Sequence, residues 1–418
     1  MRKWLILLLV PILIGSFLAG CTQQSNKNNE IKIGVLLDLS GDLASEGQQT
    51  KEILSIEEEN INNYFKEHNI PYTVKFFYTD TQCNPKICLD KVQALHAMGI
   101  NAFIGPTSSS ELKNIKDYVN SNKLIVISQS STAPPKILGF ETPEQKKYIF
   151  RFVPTDEFQG KAIASVLKDD GIKNIVIIYR DDAWGKGLSS AVIANANKLG
   201  LNVITTIPYP STPSPTDWSP YIQKIQSALN GKSNKDTAVL VIGFDEVGTL
   251  LSQIPKDSPV LNYKWFGSDG TAFSNKVLNA GENAIKVGLY STIFYSETDE
   301  AKKLIDEYHK KGFKGKVKVY PLVACDAAWV LSLSYAEMLN ETKGKYDADL
   351  LAKLIKENTE KYSKGEFGVK PVTGYIKLNI WNDRASGNYG IFAVTKDGWK
   401  LVGIWNSETG KVQWIKKP

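Results

Sequence analysis

Strand-like and helix-like segments alternate along most of this chain, and this alternation limits its fold more than any other feature. Short apolar segments such as residues 31–37 and 174–179 have the length and composition of buried strands. Each is followed by a longer segment with the apolar spacing of a helix, as in residues 48–65. This order is typical of parallel sheets covered by helices on both faces. Because 418 residues are enough for about two domains, we expect an α/β protein with more than one core.

The last third of the chain has a different pattern. After Ser291 the apolar spacing predicts helices over residues 299–311, 321–339 and 347–357. Short strand-like segments follow, with a hairpin signal at Asp397-Gly398. These segments are residues 375–380, 389–394 and 399–405. We therefore expect this part of the chain to be mostly helical and to end in β structure.

The first residues are typical of an export signal rather than of a folded segment. Arg2 and Lys3 give a positive start, and the apolar run 4–17 is short for a membrane span. The run ends in Leu-Ala-Gly-Cys, and small residues before Cys21 resemble the motif at which secreted lipoproteins are lipidated. The polar residues that follow predict a flexible tether. We expect lipidated Cys21 to anchor the mature chain to a membrane without spanning it.

Composition and motifs argue against an enzyme, a metalloprotein or a nucleic-acid-binding protein. The net charge of +6 is small for this length and the lysines are dispersed, so no basic surface for nucleic acid is predicted. The three histidines lie far apart in charged helical segments, which does not suggest a metal site. The Ser110-x-x-Lys113 pattern of penicillin-recognising enzymes occurs without the companion motifs of that class. We expect no catalytic residue, no metal and no cofactor.

Two clusters of hydroxyl side chains follow neighbouring strand-like segments. They occupy residues 107–110 and 128–132, and Ser108 with Glu111 forms the sequence pattern of a helix capping box. The carboxyl ends of parallel strands meet at one edge of a sheet, where α/β proteins bind ligands. Hydroxyls and free backbone N–H groups at a helix start suit a small anion such as a carboxylate. One such cluster would indicate only caps and turns, whereas two on adjacent strands favour a binding site.

Carboxylate and aromatic side chains follow other predicted strands. Trp184, Phe244 and Asp269 each come within a few residues of a strand end in the second half, and Glu46 follows the first strand. A single aromatic at such a position is more often part of a core. Aromatics at two strand ends with a carboxylate at a third fit a cleft between two domains, because ligand sites are mostly apolar with a few placed polar groups.

The most distinctive strings at these strand ends are IKIGVLLDLSGDLASEG, DTQCNPKICLDKV, FIGPTSSS, ISQSSTAP, YRDDAWGKGL and WFGSDGTA. Together they resemble the solute-binding proteins of branched-chain amino acid ABC transporters, which are periplasmic binding proteins of type I. The resemblance runs from Ile31 to about Asn379. It implies two Rossmann-like αβ lobes with parallel central sheets, joined by three crossover strands and closing on a ligand by hinge motion.

The resemblance also implies a division of the chain. The first lobe is expected to comprise residues 31–152 and 292–375, and the second lobe residues 153–291 and 376–418. Residues 1–20 precede them as the signal peptide, and residues 21–30 as the lipidated Cys21 with its tether.

Eight positions match ligand-binding residues of the leucine-binding type. In that type hydroxyls and backbone N–H groups hold the ligand carboxylate, and they match Ser109, Thr132 and the backbone of Ser130. The α-ammonium meets a second-lobe carboxylate that matches Asp269, because a buried ammonium without a partner is costly. The other matches are Trp184 and Phe244 beside the ligand, Glu46 near its side chain and Tyr320 at the pocket floor.

Three departures from the family pattern bear on the disulfide and on specificity. On the residues alone, Cys83 and Cys88 are close enough for a local disulfide but do not require one. In the leucine-binding type the Cys matching Cys83 pairs with a position that is Ser108 here, so the resemblance implies Cys88 as its partner. Asp269 is one methylene shorter than the usual Glu, and Glu46 is an unusual neighbour for an aliphatic side chain. A polar, cationic, aromatic or amide ligand therefore stays open.

We predict a lipid-anchored extracytoplasmic receptor, a monomer, that captures an amino acid, branched-chain or related, between its lobes. It would deliver this ligand to ABC permease subunits with their ATPases, break no bond in it and meet the membrane only through Cys21. One alternative is a ligand-sensing receptor of the same fold, which neighbouring genes would identify. Another is a binder of urea, short amides or a similar small polar solute. A third is a secreted hydrolase that uses Ser109 or Ser110, which a covalent serine probe would detect.

Overall fold

The computed structural model describes residues 29–416, which form two β-sheets with helices packed against them. The predicted signal peptide and Cys21 lie outside these residues. The first sheet has six strands and the second has eight. Most strand pairs are parallel, so the α/β prediction is confirmed.

The first sheet is built from the start of the described chain. Its strands are β1 Glu30–Leu37, β2 Thr73–Asp80, β3 Ala102–Ile104, β4 Ile125–Ser128, β5 Ile149–Pro154 and, from near the chain end, β11 Asp383–Arg384. Their order in space is β11-β5-β4-β3-β1-β2. Every residue of β3 and β4 is buried, as expected for central strands that are covered on both faces.

Six helices surround this first sheet or lie beside it. They are α1 Ala44–Glu67, α2 Pro85–Ala97, α3 Ser109–Ser121, α10 Asp299–Lys310, α11 Val319–Glu341 and α12 Ala348–Lys364. Among residues 29–416, α11 is the one helix long and apolar enough to cross a membrane. Its most apolar window is 89% buried inside the protein. A helix that is apolar on all sides and enclosed in this way is a core helix.

The second sheet has a parallel part and an antiparallel part. Its strands are β6 Asn174–Arg180, β7 Asn202–Tyr209, β8 Thr237–Ile242, β9 Lys264–Gly267, β10 Tyr290–Tyr295, β12 Asn388–Thr395, β13 Gly398–Trp405 and β14 Val412–Trp414. Their order is β14-β13-β12-β10-β9-β8-β6-β7, and the pairs from β10 to β14 are antiparallel. The accompanying helices are α4 Asp156–Asp169, α5 Ala183–Lys198, α6 Ser219–Leu229, α7 Val247–Gln253, α8 Asn275–Asn279 and α9 Glu282–Lys286.

The chain passes between the two sheets three times, after β5, after β10 and after β11. These passages agree with the expected three crossovers. The expected lobe boundaries at residues 152 and 291 fall inside β5 and β10, because each strand continues to the end of its sheet before the chain leaves it. The third passage follows residue 384 rather than residue 375. Neither β5 nor β10 was predicted as a strand from the sequence.

A buried ion cluster explains where the third passage lies. The Asp383 carboxylate lies 2.7 Å from Lys146 Nζ and 2.6 Å from Arg151 Nη2, and all three side chains are fully buried. Asp383 is thereby fixed beside β5 of the first sheet. Arg384 donates to the carbonyl oxygens of Thr373 and Tyr375, at 2.7 and 3.0 Å. Within residues 375–380 the chain forms only an isolated bridge, between Leu378 and Arg384, so the strand predicted there is wrong.

The disulfide prediction is also not met by the structure, in which Cys83 and Cys88 are both buried free thiols. The two side chains pack into different apolar clusters. Cys88 belongs to the core of the first sheet, whereas Cys83 packs with Leu43 and the second-lobe Trp184. Cys83 therefore helps to join the lobes by packing rather than by a covalent bond.

Candidate functional site

A cavity of about 20 Å³ lies between the lobes, at the ends of strands from both sheets. Its lining residues are Leu43, Glu46, Thr107, Ser108, Ser109, Ser130, Trp184, Phe244, Asp269, Gly270 and Tyr320. A larger depression of about 560 Å³ lies on the second lobe around α6, but it is lined only by uncharged residues. The interlobe cavity is the better candidate because buried charged groups and aromatic rings meet there.

The structure brings most of the residues expected to bind the ligand to this cavity. Of the eight residues expected to bind the ligand, seven line the cavity, and Thr132 is the one that does not. Thr132 is buried just behind Ser109. Its backbone N–H donates to Ser109 Oγ and its carbonyl accepts from the backbone N–H of Asp156, at 3.1 and 2.9 Å. These bonds fix the Thr132 backbone behind Ser109, and its Oγ1 is buried without a hydrogen-bond partner among residues 29–416.

The start of α3 forms the hydroxyl-rich wall of the cavity. The predicted capping box is present, since Ser108 Oγ accepts from the Glu111 backbone N–H and the Glu111 carboxylate accepts from the Ser108 backbone N–H. This box fixes the first turn of α3, so that Thr107, Ser108 and Ser109 all face the cavity. Free N–H groups and the dipole at a helix start favour a negatively charged ligand group.

Ser109 is held by three hydrogen bonds that it accepts. Its Oγ accepts from the backbone N–H groups of Thr132 and Ala133, both at 3.1 Å, and from Ser131 Oγ at 3.2 Å. The Ser109 hydroxyl proton is therefore left for donation to a group in the cavity. A hydroxyl with this pattern is a donor to an anion.

The opposite wall carries the carboxyl group of Asp269. Its Oδ2 accepts a hydrogen bond from Tyr320 Oη at 2.7 Å, and this bond connects α11 of the first lobe to the second lobe. Asp269 Oδ1 is buried and has no partner among residues 29–416. Burial raises the pKa of Asp269 above its usual value, against the opposing effect of Tyr320. A cation in the cavity would reverse that shift, because opposite charge favours the ionised form.

Glu46 provides a second carboxyl group at the cavity, from the first turn of α1. Its Oε1 accepts from Ser130 Oγ at 2.7 Å, and only 3% of the residue is exposed. Burial raises the pKa of Glu46 to about 7, which nearby Lys318 opposes and Asp269 adds to. Near neutral pH the Glu46 carboxyl group is therefore protonated in some molecules and ionised in others.

Two aromatic rings close the second-lobe side. Trp184 and Phe244 are stacked, with ring centroids 4.5 Å apart and planes 20° apart. The Arg180 guanidinium lies 4.7 Å from the centre of the Phe244 ring on its outer side. Gly270 lets the rings approach, since a Cβ there would lie 2.9 Å from Trp184 and 2.4 Å from the Gly243 carbonyl oxygen. The rings exclude water from the polar walls.

Four lining residues were not among the expected ligand contacts: Leu43, Thr107, Ser108 and Gly270. Thr107 and Ser108 belong to the hydroxyl cluster that the sequence did single out. The signal for Gly270 was its place next to Asp269. Leu43 gave no signal of its own, because one Leu in a loop is indistinguishable from a core residue in sequence.

Hydrogen bonds join the lobes around the cavity. Asp42 of the first lobe accepts from Arg180 Nη1 at 2.7 Å and from Ser214 Oγ at 2.6 Å. Ser45 Oγ donates to Asp245 at 3.2 Å. The lobes thus touch each other on more than one side of the cavity. Among residues 29–416 no group of three or more potential metal ligands comes together.

Comparison with known proteins agrees with this arrangement. The sequence pattern of the periplasmic binding protein family matches residues 30–367. An uncharacterized protein of Methanocaldococcus jannaschii is 59% identical over 413 residues, which are 96% of this chain and 98% of that protein.

Two solved structures share the fold. A leucine-binding protein of Thermotoga maritima has a TM-score of 0.73 at 20% identity, covering 91% of this chain and 99% of the other. A solute-binding protein of an ABC transporter from R. palustris, in complex with 4-hydroxybenzoate, has a TM-score of 0.72 at 18% identity, covering 90% and 97%. At these identities the likeness concerns the fold. The family whose pattern matches this chain is one of binding proteins, in agreement with the expectation that this chain is not an enzyme. The chain belongs to the periplasmic binding protein family.

Proposed function

We propose that the protein captures a free α-amino acid between its lobes, outside the cytoplasm, and delivers it to the permease subunits of an ABC importer. One observation carries this proposal: hydroxyls at the start of α3 face the Asp269 carboxyl across a single cavity. An α-amino acid carries one negative and one positive group on the same carbon. It therefore matches both walls at once.

The ligand carboxylate is assigned to the first lobe. Ser109 has a hydroxyl proton to donate, and Thr107 and the first turn of α3 lie beside it. Hydrogen bonds to a charged group contribute about 1.5–3 kcal/mol each. Several neutral donors can share one negative charge in this way without a buried Arg or Lys.

The ligand ammonium is assigned to Asp269. The unpartnered Oδ1 is the acceptor that an ammonium requires, and Tyr320 fixes the other carboxylate oxygen. An ammonium buried without a carboxylate would lose at least about 2 kcal/mol of hydration free energy. The ionised Asp269 and the ammonium would each offset the desolvation of the other.

Delivery requires the lobes to separate and to close again. The Asp42–Arg180 and Ser45–Asp245 contacts join the lobes next to the cavity, so they would break on opening and form on closing. Closure would bury the ligand and present a distinct surface to the permease. Anchoring by a lipid on Cys21 would keep the receptor close to its transporter.

A thermal-shift screen of the soluble form lacking residues 1–21 tests this function. The panel is the common L-amino acids, urea, short amides and 4-hydroxybenzoate, because a ligand that binds only the folded state raises Tm. We expect a shift with one class of amino acid. Asp269→Ala should abolish it while the protein remains folded, and Asp181→Ala, which removes an exposed partner of Lys186, should not. An unchanged shift in Asp269→Ala would reject the ammonium assignment.

An aromatic acid is the second candidate, favoured by the stacked Trp184 and Phe244 rings. Such a ligand has a carboxylate but no ammonium, so it would leave Asp269 buried without a cationic partner. A Tm shift with 4-hydroxybenzoate and none with any amino acid would select this candidate.

The anchor has its own test. Cells grown with radioactive palmitate should label the full-length protein, and Cys21→Ser should abolish the label. Labelling of the variant would place the lipid on another residue or remove the anchor from the proposal.

A further inference from the structure

The cavity contains one carboxyl group more than a simple amino acid needs. Asp269 and Glu46 both line it, and no Lys or Arg is among the lining residues. An amino acid with an apolar side chain has a single cationic group, which Asp269 would take. Glu46 would then face the apolar part of the ligand, which offers it no hydrogen bond.

Few groups of the protein compensate for the burial of the Glu46 carboxyl group. Ser130 is the one residue of the described chain that donates to its carboxyl group. Lys318 is the nearby cation, but its ammonium makes no ion pair with Glu46 within 4.0 Å and does not line the cavity. The other charged neighbours, Asp269 and Asp38, are themselves acidic. The group is placed to accept a hydrogen bond from the cavity.

The position of Glu46 also limits the length of the ligand side chain that it can contact. Glu46 projects from the first turn of a helix whose Gly47 packs against Asp38, where a Cβ would lie 2.1 Å from the Asp38 carbonyl oxygen. That packing fixes the helix start. Glu46 also lies close enough to Asp269, on the same cavity lining, for Asp269 to raise its pKa, so the two carboxyl groups are separated by a short span. A ligand side chain that ends at Glu46 is therefore short.

We propose that the ligand is a short α-amino acid whose side chain carries a hydrogen-bond donor, and that Glu46 accepts this hydrogen bond. The donor is a hydroxyl, an amide or an ammonium group. This inference rests on the proposed function, because Asp269 and the start of α3 must already hold the α-ammonium and α-carboxylate. Glu46 is thus the specificity-determining residue, and an apolar side chain is rejected because it leaves a buried carboxyl group without its partner.

Calorimetric titration with matched pairs of amino acids tests the inference. L-Threonine and L-valine have nearly the same shape and differ by one hydroxyl, as do L-serine and L-2-aminobutyrate. L-Asparagine and L-2,3-diaminopropionate extend the set to an amide and a second ammonium. At about pH 8, above the pKa of about 7 for Glu46, we expect the donor-bearing member of each pair to bind at least about tenfold more tightly.

Variants of Glu46 separate its role from general effects on folding. Glu46→Leu should remove the preference within each pair and leave the affinity for valine unchanged or higher. Glu46→Gln should still bind threonine. It should bind 2,3-diaminopropionate more weakly than the unmodified protein does, because the variant has no carboxylate to meet the second ammonium. Glu59→Gln, on the exposed face of the same helix, should behave as the unmodified protein.

Each result decides one of the two proposals. If valine or leucine binds as tightly as threonine, the inference about Glu46 is overturned while amino acid capture stands. If the preference for threonine persists in Glu46→Leu, another residue reads the side chain and the inference is likewise overturned. If no α-amino acid binds at all, the proposed function fails and the inference fails with it. Because the ligand pairs are compared on the unmodified protein, a variant that does not fold leaves the test valid.

Discussion

Two buried carboxyl sites in this molecule have opposite surroundings. At the third passage between the sheets, Asp383 lies between two buried cations, Lys146 and Arg151. Burial alone would raise its pKa, but the two cations outweigh burial and hold the pKa below the usual value. In the cavity, Asp269 and Glu46 form no ion pair with a cation, and burial raises the pKa of both.

This difference separates structure from function. A carboxylate that is fully paired inside the protein has nothing left to offer to a ligand, and its role is to hold chain segments together. When burial raises the pKa of a carboxyl group and few partners compensate it, the ionised form is destabilised. A ligand that contacts the group can remove this destabilisation. The comparison places Asp383 at the junction between the lobes and supports the proposal that Asp269 and Glu46 recognise the ligand.

The largest expected effect is on stability, from Asp383→Ala. The substitution leaves Lys146 and Arg151 buried without a counter-ion, which should lower the free energy of unfolding by about 3–5 kcal/mol. Urea denaturation followed by circular dichroism measures it. Asp397→Ala, which removes an exposed partner of Lys400, is the control and should give no measurable change. A small effect of Asp383→Ala would mean that the junction is held by packing alone.

The next effect is a pH dependence of stability that comes from Glu46. Its pKa is about 7 in the folded protein and 4.5 ordinarily, so between these values the folded state keeps a proton that the unfolded chain has lost. The free energy of unfolding should therefore fall as pH rises from about 4.5 to about 7, by up to about 3 kcal/mol for this group.

Glu46→Gln should remove this part of the slope, as measured by urea denaturation at several pH values without ligand. Glu57 is a useful comparison, because burial also raises its pKa to about 7 while Trp329 Nε1 donates to it in the core. A bound amino acid should flatten the Glu46 contribution and leave that of Glu57. An identical slope in the unmodified protein and Glu46→Gln would contradict the assignment of Glu46 to the carboxyl groups that are buried without an ion-pair partner.

The smallest effect concerns the contact between lobes at the edge of the cavity. Asp42→Asn removes the charge that Arg180 contacts across the lobes, where the Asp42 side chain is 25% exposed. We expect a two- to fivefold faster release of ligand, about 0.5–1 kcal/mol, since partly exposed ion pairs contribute little. Stopped-flow fluorescence of Trp184 beside the cavity measures release. Glu282→Gln, which breaks an exposed pair within the second lobe, should not alter it.

Local sequence patterns were enough to predict the α/β class and the hydroxyl wall of the cavity, whereas the two lobes and the eight ligand-binding positions were implied by the family resemblance. The alternation of strands and helices, the capping box of α3 and the polar residues at strand ends are local signals that burial then reinforces. Ser109 and Glu46 lie at one edge of the first sheet because parallel strands end on the same side, and Asp269 faces them from the second sheet.

The parts that the sequence did not reveal depend on distant contacts. Thr132 lies behind Ser109, where its backbone bonds to Ser109 and Asp156, and the third passage is set by ion pairs between residues more than 230 positions apart. Cys83 and Cys88 are close in the chain but face different clusters. None of these contacts leaves a periodic trace in the sequence.

The direction of β1 has a consequence for the orientation of the receptor under the proposed lipid anchor. β1 begins at Glu30 and runs its eight residues, about 26 Å, toward the cavity. A chain that enters at Glu30 therefore joins the molecule at the pole opposite to the ligand. If Cys21 is lipidated as proposed, the eight residues 22–29 can span at most about 25–30 Å between the lipid and that pole. The cavity between the lobes would then face away from the lipid headgroups. Solutes could enter it without crossing the layer of solvent next to the bilayer.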